Sequence, residues 1–396
     1  MKRRTMLGAL LASPALLSGC ASTALPDALM GTGDLGVIIE RARGTIAIIN
    51  TSSRQLIAEV GGLGDLSHAA AVFSRDGRFA YVFGRDGGLT KVNLLTQRIE
   101  ARVMQAGNSI GGAISADGRL VAAQNYTPGG IKIFDAQTLA LKLDLPATYG
   151  DGKLSRVVGL VDLPGNRFAF SLFDADQIWI VDGSDLANPK ITRFENVGRS
   201  PYDALVTPDG RHYIAGLFGQ DGLAHLDLWS ANPKINHILS GYGRGQEPLP
   251  VYKMPHLRGW AVAGRRAYLP AIGRHEVLVV DTASWQEVGR IAVAGQPVFV
   301  IARPDGRQVW VNFAVPDYNT VQVIDTQTSS VVRTLSPGKA VLHLEFTPRG
   351  ESVWISARDS NEVVVLDTQS FAVQASLKVD SPSGIFFTSR AHRIGF

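Results

Sequence analysis

From about residue 34 onward, apolar residues fall into short runs, many of them alternating with polar ones, and glycine-centred turns separate the runs. A period of two punctuated by Gly, Asp and Pro predicts strands joined by tight turns. One stretch, Gly61 to Lys91, holds a complete unit. In it His68-Ala-Ala-Ala-Val-Phe meets Ser-Arg-Asp-Gly77, a second strand Arg-Phe-Ala-Tyr-Val follows, and Phe83-Gly-Arg-Asp-Gly-Gly-Leu-Thr-Lys91 leads on.

The unit recurs. Segments opening at Gly111, Val157, Tyr202, Gly259, Val298 and Leu342 repeat the strand, the turn and the second strand. Their turn glycines, 77, 118, 165, 210, 264, 306 and 350, are spaced by 41, 47, 45, 54, 42 and 44 residues. Asp-Gly and Pro-Asp-Gly suit such turns because glycine supplies the positive φ they need. A third strand ends near an aspartate, as in Ile131-Lys-Ile-Phe-Asp135, Ile178-Trp-Ile-Val-Asp182 and Val277-Leu-Val-Val-Asp281. A weaker fourth strand closes the unit, as in Gln286-Glu-Val-Gly-Arg-Ile-Ala.

Four antiparallel strands per roughly 45 residues make a propeller blade. Seven full copies are present. The remainder is N-terminal Val37-Ile-Ile-Glu-Arg41 with Thr45-Ile-Ala-Ile-Ile49, and C-terminal Gly384-Ile-Phe-Phe-Thr388. Neither piece forms a sheet alone; paired, they make an eighth blade and leave no open edge. The fold class expected is all-β: one eight-bladed β-propeller over residues 34–396, closed by pairing N- and C-terminal strands.

Composition narrows the chemistry. The net charge of +4 is scattered over 39 basic and 35 acidic residues. Nucleic-acid surfaces cluster Lys and Arg, and this chain does not, so no nucleic-acid partner is expected. A single cysteine, Cys20, excludes internal disulfides and cysteine-built metal centres. Its setting is informative: Met1-Lys-Arg-Arg precedes an apolar run from Leu7 to Leu17, and Leu17-Ser-Gly-Cys20 matches a bacterial lipobox. Residues 1–20 are therefore expected to be a lipoprotein signal peptide, with Cys20 lipidated and residues 21–33 a tether. Ala21 after the cysteine carries no inner-membrane retention signal, so the expected location is the periplasm, anchored to the outer membrane.

Propellers bind ligands at the central channel, where loops entering the innermost strands converge. His68 opens such a strand. A hydrogen-bonded structural histidine is the common case; imidazole also ligates haem iron and moves protons. Arg41 and Arg85 follow strands in the first two blades, and as a pair flanking His68 they form forks for carboxylates. His256 and His343 open first strands across the ring, Tyr202 lies in Arg199-Ser-Pro-Tyr-Asp203, and Asn125 and Tyr126 follow a second strand. No Walker loop, no dinucleotide fingerprint after a predicted strand and no His-x-x-x-His or Asp/Glu cluster with metal-ligand spacing is found in the sequence. Gly241 to His256 is an unusually long insertion, of a kind that tends to be functional.

These residues bear a likeness. Gly64-Asp-Leu-Ser-His68, Phe83-Gly-Arg-Asp-Gly-Gly-Leu-Thr-Lys91, Gly107-Asn-Ser-Ile-Gly-Gly112, Gly241-Tyr-Gly-Arg-Gly245, Val251-Tyr-Lys-Met-Pro-His256, Gly338-Lys-Ala-Val-Leu-His343 and Ser381-Pro-Ser-Gly-Ile-Phe-Phe-Thr388 resemble the NirF family of haem d1 biosynthesis. The likeness runs from about Gly31 to Phe396. That family is similar to the d1-haem propeller of dissimilatory nitrite reductase. The resemblance implies His68 as axial iron ligand and catalytic group. It implies Arg41 and Arg85 as holders of macrocycle carboxylates, and places His256 near a distal-pocket histidine. There is no Cys-x-x-Cys-His for covalent haem, and Pro297-Val-Phe-Val300 carries no second distal histidine, so nitrite reduction is not expected.

The implied ligand is a non-covalent d1-type haem or its precursor, with Arg41, Arg85, Asn125, Tyr126, Tyr202, His256 and His343 around it. The implied partners are nitrite reductase and other d1-haem maturation proteins. Two functions follow: an enzyme that modifies the precursor, plausibly by peripheral oxidation or dehydrogenation, or a carrier that delivers it. A propeller scaffold for protein partners is the third reading, and the channel His and Arg residues argue against it.

Overall fold

Glycine decides where each strand reverses. In this computed structural model, which describes residues 31–242, 259–271 and 273–395, Gly77, Gly118, Gly165, Gly210, Gly264, Gly306 and Gly350 all hold φ between 60° and 77°. A residue with Cβ adopts that backbone only under strain. Aspartates reinforce the turns: Asp76 Oδ1 accepts from the Ser74 hydroxyl at 2.6 Å and from Arg78 N at 3.1 Å.

The turns build eight four-stranded antiparallel sheets, each hydrogen-bonded from an innermost strand outward. We number them as blades 1 to 8 from the N-terminus. In blade 1 the strands Leu35–Glu40, Thr45–Asn50 and Gln55–Val60 are completed on the inside by Pro382–Phe387. The register there is Gly36 with Phe387, Val37 with Phe386 and Ile38 with Ile385. The expected closure is therefore present. One core cluster spans it, joining Ile38, Ala47 and Ile49 to Trp354, Val363 and Val365 of blade 8.

Second and third strands are buried on both faces by the neighbouring blades, so they read as continuous apolar runs, as in Leu35–Glu40, where all six residues are buried. Fourth strands alternate or are exposed, as in Val373–Lys378. The third-strand aspartates are structural. Asp135, Asp281, Asp325 and Asp367 each accept backbone N–H groups two and three residues on. The turn that carries the chain to the fourth strand is fixed in this way. A small hairpin, Thr148–Tyr149 with Lys153–Leu154, sits between blades 3 and 4 and accounts for the longer spacing there.

The C-terminal segment crosses one end of the ring. After Phe387 the chain forms a short 3-10 turn, Thr388–His392. Arg390 pairs with Glu345 there. Ile394 packs on the core of blades 4 and 5, and Gly395 N donates to Asp162 Oδ1 at 2.9 Å. From blade 2, Arg75 donates to the carbonyls of Ile114, Ser115 and Ala391. The opposite face, where innermost strands begin, holds the candidate site.

Candidate functional site

Because neighbouring strands run antiparallel, the residue after each second strand shares a face with the residue before each innermost strand. Around the ring the residues at or just past the second-strand ends include Arg41 in blade 1, Arg85 two residues past the strand in blade 2, Tyr126 as the penultimate strand residue in blade 3, Phe173 in blade 4, Phe218 in blade 5 and Arg358 in blade 8. The mouth therefore divides into a cationic arc on blades 8, 1 and 2 and an aromatic arc on blades 3 to 5.

The cationic arc is held by the loop from Gly61 to His68. That loop crosses the Arg41–Gly44 turn closely: Leu63 N donates to Gly44 O at 3.0 Å, and a Cβ on Gly44 would stand 2.2 Å from Gly64 O. Asp86 pins the loop from below. Its Oδ2 lies 2.8 Å from Arg102 Nη2 and accepts from Asp65 N at 3.3 Å. Asp86 is thus a loop anchor. Arg41 Nη2 donates to Ser67 O, the carbonyl just before His68. His68 itself is exposed, two residues before the innermost strand Ala70–Phe73.

Charge is uneven in this arc. The Ser67 hydroxyl and N–H hold the Asp65 carboxyl below its ordinary range, and the charges of Arg85 and Arg41 add to that. Burial lowers the pKa of Arg41, and the like charge of Arg358 lowers it further. Arg358 keeps Asp359 as its partner at 2.6 Å. The Arg85 backbone is bracketed, its N donating to Asp65 O at 2.7 Å and its O accepting from Ser109 N at 3.3 Å. Two guanidiniums that repel each other make a ready receptor for an anion.

In the aromatic arc the hydroxyls of Tyr126 and Tyr202 lie 2.7 Å apart. Tyr202 meets Phe173 edge-on at 5.7 Å, Phe173 meets Phe218 at 5.5 Å, and Tyr202 meets Phe218 at 6.0 Å. The Arg156 guanidinium stacks 4.3 Å over Phe173 and is held by Asp174, with Nε 3.0 Å from Oδ2. Burial raises the pKa of both tyrosines, so both are phenols at neutral pH.

Asn125 and His343 stand differently from the expectation. Asn125 is 1% exposed and exchanges two 2.9 Å amide bonds with Gln105. Its amide ties blades 2 and 3 together and is not presented to the mouth. His343 lies within the innermost strand Val341–Phe346, and its Nδ1 accepts from Ile385 N at 3.2 Å. Phe386 and Phe299 pack at 5.6 and 6.4 Å. Burial pushes this imidazole down to about 3, with the Arg390 charge adding. It is neutral, with the proton on Nε2, and it joins blade 8 to blade 1. His256 and Cys20 lie outside the described residues.

Sequence reasoning missed Arg156, Arg358, Phe173 and Phe218. A signal existed for two of them: Ala357-Arg-Asp359 of blade 8 repeats Gly84-Arg-Asp86 of blade 2, and Arg156 precedes an innermost strand as His68 does. Far from the mouth, His225 Nε2 lies 2.9 Å from His212 Nδ1 beside Trp285. Burial pushes His225 down to about 4. Among the described residues, no three His, Cys, Asp or Glu side chains are grouped to hold a metal ion.

Comparison with known proteins places this geometry. The family described as Cytochrome D1 heme domain matches residues 30–391. The chain is 58% identical over 388 residues to Protein NirF of Stutzerimonas stutzeri, covering 98% of each chain. It is 57% identical over 382 residues to Protein NirF of Pseudomonas aeruginosa, covering 96% of this chain and 97% of that one. Among solved structures, the dihydro-heme d1 dehydrogenase NirN in complex with DHE superimposes with a TM-score of 0.79 at 26% identity. That match covers 91% of this chain and 76% of that chain.

Proposed function

The chain belongs to the Cytochrome D1 heme domain family, and from that premise we propose that it is a haem d1 biosynthesis factor that binds a precursor tetrapyrrole at the channel mouth and modifies it. The observation that carries this reading is the division of the mouth. A d1-type macrocycle has carboxylates on its edge and a flat apolar face, and the Arg41, Arg85 and Arg358 arc faces the Phe173, Tyr202 and Phe218 arc across one opening. Guanidinium forks suit carboxylates, and aromatic rings suit a flat π-system. His68, exposed beside the Arg41–Ser67 contact, is the residue that would ligate the iron.

The chemistry proposed is removal of two hydrogens from the macrocycle periphery. Two electrons leave to an external acceptor, since the chain carries no covalent-haem motif, and two protons leave to solvent at the open mouth. The dihydro-heme d1 dehydrogenase of Pseudomonas aeruginosa, 29% identical over 340 residues, is named for a reaction of this class. Relatives named NirF support a place in the same biosynthesis. We place the protein in the periplasm on a lipid anchor at Cys20, handing its product to nitrite reductase with other d1-haem maturation proteins.

The test is incubation of purified protein with the precursor and an electron acceptor, followed by mass analysis of the extracted tetrapyrrole. A product about 2 Da lighter supports modification. Tetrapyrrole that is bound but unchanged with every acceptor class means the protein is a carrier.

A further inference from the structure

Tyr126 closes the second strand of blade 3 and Tyr202 opens the innermost strand of blade 5, yet their hydroxyls meet at 2.7 Å. The contact passes over the start of blade 4. Packing below brings it about. Gly159 of blade 4 holds φ +61°, and a Cβ there would stand 2.7 Å from Tyr202 O and 2.8 Å from Ala204 Cβ. Glycine thus lets the innermost strands of blades 4 and 5 close up, which carries Tyr202 inward. Phe173 and Phe218 then fix its ring.

A blade-to-blade tie needs only one hydrogen bond, and this pair has more capacity than that. Two hydroxyls carry two protons, and the bond between them uses one. The second O–H belongs to a half-buried pair at the mouth, where the charge of Asp203 acts on Tyr202 most strongly and those of Arg85 and Arg156 oppose it. The Arg156 guanidinium is already engaged by Asp174 and stacked on Phe173, so it contributes field and position.

We propose that the Tyr126–Tyr202 pair is a second carboxylate subsite, in which the unshared hydroxyl donates to one peripheral carboxylate of the tetrapyrrole while the Arg41, Arg85 and Arg358 arc takes the others. This rests on the tetrapyrrole reading above. A hydroxyl pair also selects: it donates strongly to an anionic oxygen and weakly to an ester. With its Tyr202 ring fixed by Phe173 and Phe218, the pair sets the rotational position of a macrocycle whose edge alternates carboxylates with apolar groups.

The test uses two soluble probes, iron coproporphyrin as the tetracarboxylate and its tetramethyl ester, titrated by absorbance. Wild type is compared with the double variant Tyr126→Phe/Tyr202→Phe, because either hydroxyl alone can still donate. The expected result is affinity about ten-fold weaker for the tetracarboxylate and unchanged for the ester. Equal affinities for the tetracarboxylate in both proteins overturn the subsite. So does an equal loss for both probes, which marks a packing role. If wild type binds neither probe, the tetrapyrrole reading itself fails and the subsite falls with it.

Discussion

Arg75 Nη2 lies 3.5 Å from Asp162 Oδ2, joining blade 2 to blade 4 at the far end of the channel, where the Asp162 side chain is 1% exposed. The same guanidinium holds the Ala391 carbonyl, so this ion pair fastens the C-terminal segment in place. On the proposed function, the tetrapyrrole enters and leaves at the opposite end, by the mouth that carries His68.

Arg75→Ala is expected to lower stability by about 3 kcal/mol, since it leaves a buried carboxylate short of its cation. Urea unfolding measures this as a lower midpoint with an unchanged slope. Tetrapyrrole affinity should stay as in wild type, because the C-terminal segment and the mouth are at opposite ends.

Asn125→Leu makes the contrast between a residue near the mouth and one on it. It strands the Gln105 amide, which is 6% exposed, at a cost of about 1–3 kcal/mol. Thermal unfolding should show the loss, and a tetrapyrrole titration should not.

A pH dependence follows from His343. Its pKa is pushed down to about 3 in the folded protein, against about 6.5 in an unfolded chain. Its contribution to stability is full above about pH 6.5. It is lost as pH falls toward the folded value, at about 1.4 kcal/mol per pH unit. His343→Asn keeps an acceptor for Ile385 N and removes the titration. Between pH 7.5 and 5, wild type should lose stability relative to this variant; parallel curves would contradict the assignment.

Much of this molecule is legible from its sequence. The glycine spacing gives the blades, and the leftover strands at the two termini give the closure, because an unpaired edge is costly in any propeller. The cationic half of the mouth is legible as far as Arg41 and Arg85, which follow recognisable strands. Arg358 is visible only once its Arg-Asp is aligned with Arg85-Asp86, a comparison of blade 8 with blade 2. The aromatic half is harder to see. Phe173 and Phe218 resemble any core residues in a string of letters, and only blade geometry turns them toward Tyr202. Asn125 shows the converse: its place after a strand suggests the mouth, and its partner Gln105 comes from a loop whose course the sequence does not reveal.

Arg358 is the simplest test of the arc. Its charge reaches Arg41, so Arg358→Ala should weaken binding of an iron tetracarboxylate by about ten-fold and reduce the salt dependence of binding. Isothermal titration at two ionic strengths would show both effects.

The most direct test of the central claim is an absorbance titration of the d1-haem precursor against wild type and the triple variant Arg41→Ala/Arg85→Ala/Arg358→Ala. Saturable binding to wild type, lost or weakened at least a hundred-fold (about 3 kcal/mol) in the variant, is the expected result. Equal binding by the two proteins, or none by wild type, would contradict it.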